Sequence, residues 1–268
     1  MRRVWAALVV GGSVLGLTVA LTARQAERAA TSPATGGGTS RGPALPAGPA
    51  PRLPNGTIDL SGVWQGGGPV GNIADGLAKG ETLPIRPEWK KIMDERKAGD
   101  DPEANCLPTG VPRRDPYPWR MLQTPTHTFM LFEGNIHSYR QIFMDGRTHP
   151  ADLDPTWYGH SVGKWEGDTL VVDSVGFNDK FWFDFIGTPH TEKLHTIERY
   201  TRTNMGTLVI ETTIDDPGAY TAPWKGAFTL RWNAGQELFE YVCQQANYAS
   251  ELMVGQLGKV NRATTIIP

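Results

Sequence analysis

The chain has 268 residues, 26 basic against 28 acidic, for a formal charge of −2. That balance excludes the basic footprint of a nucleic-acid-binding protein. The length, less about fifty N-terminal residues, suffices for one domain with a full core. Arg2 and Arg3 precede an uncharged, mostly apolar run from Val4 to Leu21 that ends before Arg24. A positive segment followed by an apolar one is the pattern of an export signal. As a helix the run would reach about 27 Å, close to the least that spans a bilayer, so a retained anchor is the alternative. Residues 1–26 are therefore read as a signal peptide or N-terminal membrane anchor, with membrane attachment through residues 4–21 in the second case. Residues 27–54 are mostly Ala, Pro, Gly, Ser and Thr with few large apolar side chains, the composition of a disordered linker. The expected localisation is periplasmic or extracellular.

Residues 55–268 read as a single all-β domain. The first strand spans 59–65, and a Gly-rich stretch, 66–80, follows it. A helix is predicted over 86–98, with Pro87 in its first turn and Gly99 just past its end. Trp89, Ile92 and Met93 fall on one face of that helix. The Pro-rich segment 107–118 is irregular. Strands are then predicted at 119–124, 127–133, 136–143, 157–165, 168–176, 194–203, 206–214, 226–233 and 237–244, rich in Val, Ile, Thr and aromatics. About ten antiparallel strands in sequence make a meander, and a closed barrel is the expected architecture. Short turns near Gly134, Gly167, Gly206 and Gly235 alternate with long connections at 145–156, 178–193 and 215–225. In a meander every second connection shares an end, so the long ones are expected to form one functional rim.

Cys106 and Cys243 are the two cysteines. In an oxidising compartment an even pair reads as a disulfide, and two buried thiols are the alternative. The Gly62-Val63-Trp64 triplet on the first strand resembles the opening motif of the calycins, the superfamily of lipocalins, fatty-acid-binding proteins and avidins. That resemblance implies a Trp plugging one barrel end under a late-strand Arg, here Arg231 or Arg262. A longer resemblance covers most of 57–258. The run from Asp154 to Asp173, DPTWYGHSVGKWEGDTLVVD, is similar to the signature of a family of exported bacterial β-rich proteins. Cys106-Leu107-Pro108, Asp145-Gly146-Arg147, Pro189-His190 and Glu240-Tyr241-Val242-Cys243 share it. It implies a secreted β domain and leaves the activity to be argued from residues.

Register counting supplies candidates. A three-residue turn at 166–168 would set Ser161 against Asp173 and His160 against Ser174. His160 would then lie on an apolar face with Val162, Leu170 and Val172, either as a core histidine satisfied by Ser174 or as a pocket acid, base or ligand. A turn at 204–206 pairs Arg199 with Glu211, as a cross-strand ion pair. It also sets His195 opposite Asp215, where a carboxylate would fix the tautomer of a general base. The candidate catalytic residues are thus His160, Asp173, His195 and Asp215. Arg140, Trp157, Trp182, His190, Tyr220 and Trp224 are the candidate ligand-binding residues. No cofactor is predicted; a transition metal held by loop ligands is a minor alternative, since His190-x4-His195 is not a standard metal spacing. A Ser-nucleophile elbow at 159–163 is rejected, because the segment runs on as a strand.

Three functions fit these residues. The first is a barrel binding a small apolar or aromatic ligand. The second is a cofactor-independent hydrolase, isomerase or lyase using a His/Asp pair at the rim. The third is a membrane-anchored accessory subunit of a larger complex.

Overall fold

The computed structural model describes residues 45–66, 71–113, 117–134, 138–241 and 243. Nine strands form a closed barrel: β1 (Gly62–Gln65), β2 (Trp119–Gln123), β3 (His127–Phe132), β4 (Tyr139–Phe143), β5 (His160–Glu166), β6 (Thr169–Val175), β7 (His195–Asn204), β8 (Thr207–Asp215) and β9 (Trp224–Trp232). The first and last strands close it through Trp64 opposite Trp232 and Gln65 opposite Arg231. The tenth predicted strand, 237–244, is not one among its described residues. The long strands β7, β8 and β9 bury alternate residues, as a pleated wall with one wet face must.

Nine is odd, and that decides the topology. Strands that strictly alternate direction cannot close an odd ring, so one neighbouring pair must run parallel. That pair is β4 and β5, joined only through Ile142 opposite Ser161 and Phe143 opposite Val162. The connection 144–159 therefore returns along the barrel instead of turning back as a hairpin. Every strand before it is reversed relative to a pure meander. The 124–126 turn thus lies with the 167–168 and 205–206 turns, the chain leaves β3 near Gly134 at the opposite end with the 176–194 and 216–223 connections, and 144–159 runs from one end to the other.

The seam depends on small residues. A Cβ on Gly163 would lie 2.4 Å from Met144 Sδ and 2.9 Å from Ile142 Cγ2. Gly159, which turns the returning chain into β5, has φ +64°, and a Cβ there would meet the Val175 carbonyl at 2.6 Å.

One core cluster fills the barrel around Trp64, Trp119, Met121, Leu170, Tyr200 and Ile210. A second lies towards the long loops and includes Phe177, Phe181, Phe183, Tyr220 and Trp224. At the short-turn end Trp64 donates from Nε1 to the Leu60 carbonyl at 2.9 Å. The cation over it is neither residue expected. The Arg202 guanidinium stands 5.0 Å from the Trp64 ring and 4.9 Å from Trp232. Arg231 is exposed, because inward residues of β9 are the even-numbered ones, and Arg262 lies outside the described residues. Residues 45–58 lie on the same end: Arg52 bridges to Ile58, and its guanidinium pairs with Asp168 at 2.6 Å.

The one α-helix among the described residues, α1 (Pro87–Glu95), starts at the expected proline but ends before 98. Arg96 is extended there and reaches over Trp182, 4.8 Å from its ring. Trp89 donates from Nε1 to the Gly218 carbonyl at 2.9 Å, while Ile92 stays exposed. Cys106 and Cys243 form a disulfide with Cα atoms 5.7 Å apart. It ties the irregular segment ahead of β2 to the chain beyond β9.

Candidate functional site

Two hairpins decide which side chains share a face. The β5–β6 turn holds two residues, Gly167-Asp168, because Glu166 pairs with Thr169. This shifts the expected register by one: Ser161 faces Ser174, Val162 faces Asp173, and His160 faces Val175. A one-residue slip moves a side-chain set to the other face. Ser161, Gly163, Leu170, Val172 and Ser174 point into the barrel, and His160 and Asp173 lie on its outer wall. His160 is therefore not a core histidine, and Ser174 is not its partner. The β7–β8 turn is also one residue shorter than expected, but the ladder skips Thr203 and absorbs the difference. Arg199 stays opposite Glu211 and His195 opposite Asp215.

Opposition of Cα atoms does not fix where long side chains bond. Arg199 pairs with Glu166 at 2.8 Å, not with Glu211. The His195 ring turns to Asp173, with Nε2 2.9 Å from Oδ1, and not to Asp215. The same Asp173 oxygen lies 3.2 Å from His149 Nε2. His149 Nδ1 in turn lies 2.7 Å from His160 Nδ1. The returning connection 144–159 thus delivers His149 to the cluster, which reads His195–Asp173–His149–His160. His149 carried no pairing signal in the sequence. Its place follows from the parallel seam.

The cluster is backed by aromatic and charged neighbours. The Phe143 ring stacks on His160 at 5.0 Å, and the Arg147 guanidinium sits 3.8 Å from the centre of the same Phe143 ring. Arg147 is held by Asp145, and that contact lowers the Asp145 carboxyl to about 2. Partial burial, with the His149 and Arg147 charges adding to it, holds the His160 imidazole below its usual range.

A groove of about 600 Å³ opens beside His160. Its position follows from the seam: β5 covers only the last residues of β4, so the edge at Tyr139–Gln141 is left open. The walls include Phe143, Leu153, Trp157, Tyr158 and Pro108, with His160 and Asp154 among the polar lining. The segment carrying Trp157 is held by a parallel bridge from Thr156 to Phe177. Tyr158 shares a 2.6 Å hydrogen bond with Ser138 across the groove and stacks on Phe132 at 5.4 Å.

Arg140 lies at the base of this opening, fully buried. It pairs with Glu198 at 2.6 Å and donates to Ser161 Oγ at 3.1 Å, Tyr200 OH at 3.3 Å and Ser174 Oγ at 2.9 Å. Tyr200 donates to Glu198 at 2.9 Å. A buried ion pair so thoroughly bonded tolerates desolvation that an unpaired charge would not.

The remaining candidates lie elsewhere. His190 is buried against Phe181, with ring centres 3.8 Å apart. Its Nδ1 donates to the Thr191 carbonyl at 3.3 Å, and burial pushes its pKa down to about 4. Tyr220 donates to the Pro189 carbonyl at 2.7 Å and packs on Trp224 at 5.4 Å. Trp182 is buried under Arg96. These four belong to or flank the second core cluster, so the rim divides into a packed part and an open groove. A smaller cavity of about 360 Å³, at the short-turn end, has no titratable residue in its lining. Among the described residues, no group of three or more His, Cys, Asp or Glu is arranged to hold a metal ion, and no helix is long and apolar enough to cross a membrane. No known protein family, no curated protein and no solved structure matches the chain.

Proposed function

We propose that this barrel binds a small aromatic molecule in the groove between β4 and the returning segment 153–160. The observation that carries the reading is the groove itself, about 600 Å³ with Trp157, Tyr158 and Phe143 in its walls. That volume suits a small organic ligand, and the aromatic rings in the walls favour a planar body. The apolar run at residues 4–21 and the Cys106–Cys243 disulfide both suit export to an oxidising compartment, which is in keeping with this reading. There such a barrel would take up its ligand directly from the surroundings.

Titration calorimetry of the full-length protein with toluene and indole tests the reading. Saturable binding is expected, weakened at least roughly tenfold in Trp157→Ala, since a stacked ring is worth on the order of 1 kcal/mol beyond its buried area. No saturable binding of either probe at millimolar concentration would sink it.

The chain His195–Asp173–His149–His160 favours a second reading, acid–base catalysis on the bound molecule. Asp173 orients His149, which in turn contacts the groove-lining His160, and an oriented imidazole at the ligand is what a general base requires. The reaction would be a hydrolysis, isomerisation or elimination that needs no organic cofactor.

A further inference from the structure

We infer that the groove selects aromatic molecules bearing a hydroxyl group, with Nε2 of His160 accepting the hydrogen bond. This deepens the aromatic-binding reading and rests on it. The direction of every bond in the histidine cluster follows from one fixed point. Asp173 Oδ1 lies within bonding distance of Nε2 of both His149 and His195, at 3.2 and 2.9 Å. A carboxylate oxygen only accepts, so both nitrogens carry hydrogen. A neutral imidazole has a single N–H, which leaves His149 Nδ1 bare. The contact of 2.7 Å to His160 Nδ1 then requires the hydrogen to sit on His160. A neutral His160 with hydrogen on Nδ1 has a bare Nε2. Among the described residues that atom has no bonding partner, and His160 lines the groove.

Asp173 thus sets, through His149, the polarity of an atom two residues away in the chain of bonds. A ligand hydroxyl meets an acceptor there, while an ether or a plain hydrocarbon offers nothing to it. The aromatic walls supply the rest of the selection, favouring a phenol over an aliphatic alcohol.

One added proton reverses the polarity. Whether it settles on His149 or on His160, Nε2 of His160 then carries hydrogen and donates. The charged groups around this ring are Arg147 with its partner Asp145, Asp173 with His195, and Asp154 on the groove wall. Arg140, behind Ser161, is neutralised by Glu198. Burial and the neighbouring His149 and Arg147 charges keep His160 below the usual imidazole range, so the His160 ring itself resists the added proton. The preference for a hydroxyl is therefore expected to fade in acid.

Phenol, anisole and toluene, titrated calorimetrically into the full-length protein at pH 7.5 and pH 5, test the inference. At pH 7.5 phenol should bind about five- to tenfold more tightly than anisole, the ratio one neutral hydrogen bond supports. The preference should shrink at pH 5 and vanish in His160→Phe, which keeps a ring against Phe143 and removes the acceptor. His149→Phe, which frees the His160 tautomer, should reduce the preference without abolishing aromatic binding. Equal binding of the three probes at pH 7.5 would overturn the selectivity and leave aromatic binding standing. No binding of any probe would overturn both. A phenol preference that survives in His160→Phe would place the acceptor elsewhere. Should that variant fail to fold, the wild-type comparison between the two pH values decides, and an undiminished preference at pH 5 overturns the inference.

Discussion

His190 shows how a single buried group couples this fold to pH. It is 1% exposed, packed between Phe181 and Phe183, and burial pushes its pKa down to about 4. An unfolded histidine titrates near 6.5, so between those values the unfolded chain binds a proton that the native state refuses. The stability contributed by the neutral ring is whole above about 6.5. It is lost as the pH falls towards 4, by roughly 3 kcal/mol. Urea unfolding at pH 7 and pH 4 should show this loss in the wild type. His190→Phe should lose about that much less over the same interval, because its ring fits the same aromatic stack and cannot charge. If the two proteins weaken in parallel, the titrating group is another one.

At the scale of elements, the parallel seam between β4 and β5 is the decisive feature. It is two residue pairs long, and so short a seam both opens the groove and depends on close approach at Gly163. Gly163→Ala would drive its methyl against Ile142 and Met144. The expected cost is about 1–3 kcal/mol, the range for overpacking a core, with weaker aromatic binding as β4 is pushed outwards. Gly226→Ala serves as the comparison. Its added methyl meets no atom nearer than 3.4 Å, a carbon of the Phe228 ring, so its cost should be smaller. Thermal denaturation of the two variants ranks them. A harmless Gly163→Ala would show that the strands can separate at no cost and that the seam is not tight.

For the whole molecule, the Cys106–Cys243 disulfide joins residues 137 apart in sequence. Closing a loop of that length restricts the unfolded chain, and the chain-entropy relation gives about 5 kcal/mol of stabilisation. The bridge also restrains the segment that carries Pro108 to the groove wall, two residues from Cys106. Reduction should lower the melting temperature and weaken aromatic binding together. Thiol titration of the native protein alongside melts with and without reductant checks this. Two free thiols per chain and an unchanged melt would remove the bridge from the account.

Much of the architecture is written locally and was therefore legible in the sequence. Period-two alternation and Gly or Asn turns mark the nine strands that form, because a strand's pattern and its turn chemistry depend on adjacent residues. The β7–β8 register, with His195 opposite Asp215, could be counted from the turn because the ladder absorbed its one-residue error near Thr203. No such correction occurs at Gly167-Asp168, so a single residue placed His160 on the wrong face. Which cation covers Trp64 was likewise hidden, since Arg202 and Arg231 differ only in which wall of the closed barrel they face. The candidate site itself belongs to the tertiary structure. His149 meets His160 and Asp173 only because an odd number of strands forces one parallel pair, and the chain must return along the barrel to make it. Local pattern determines strands, and closure determines which of them are neighbours. The groove and its histidines exist at the junction that closure imposes.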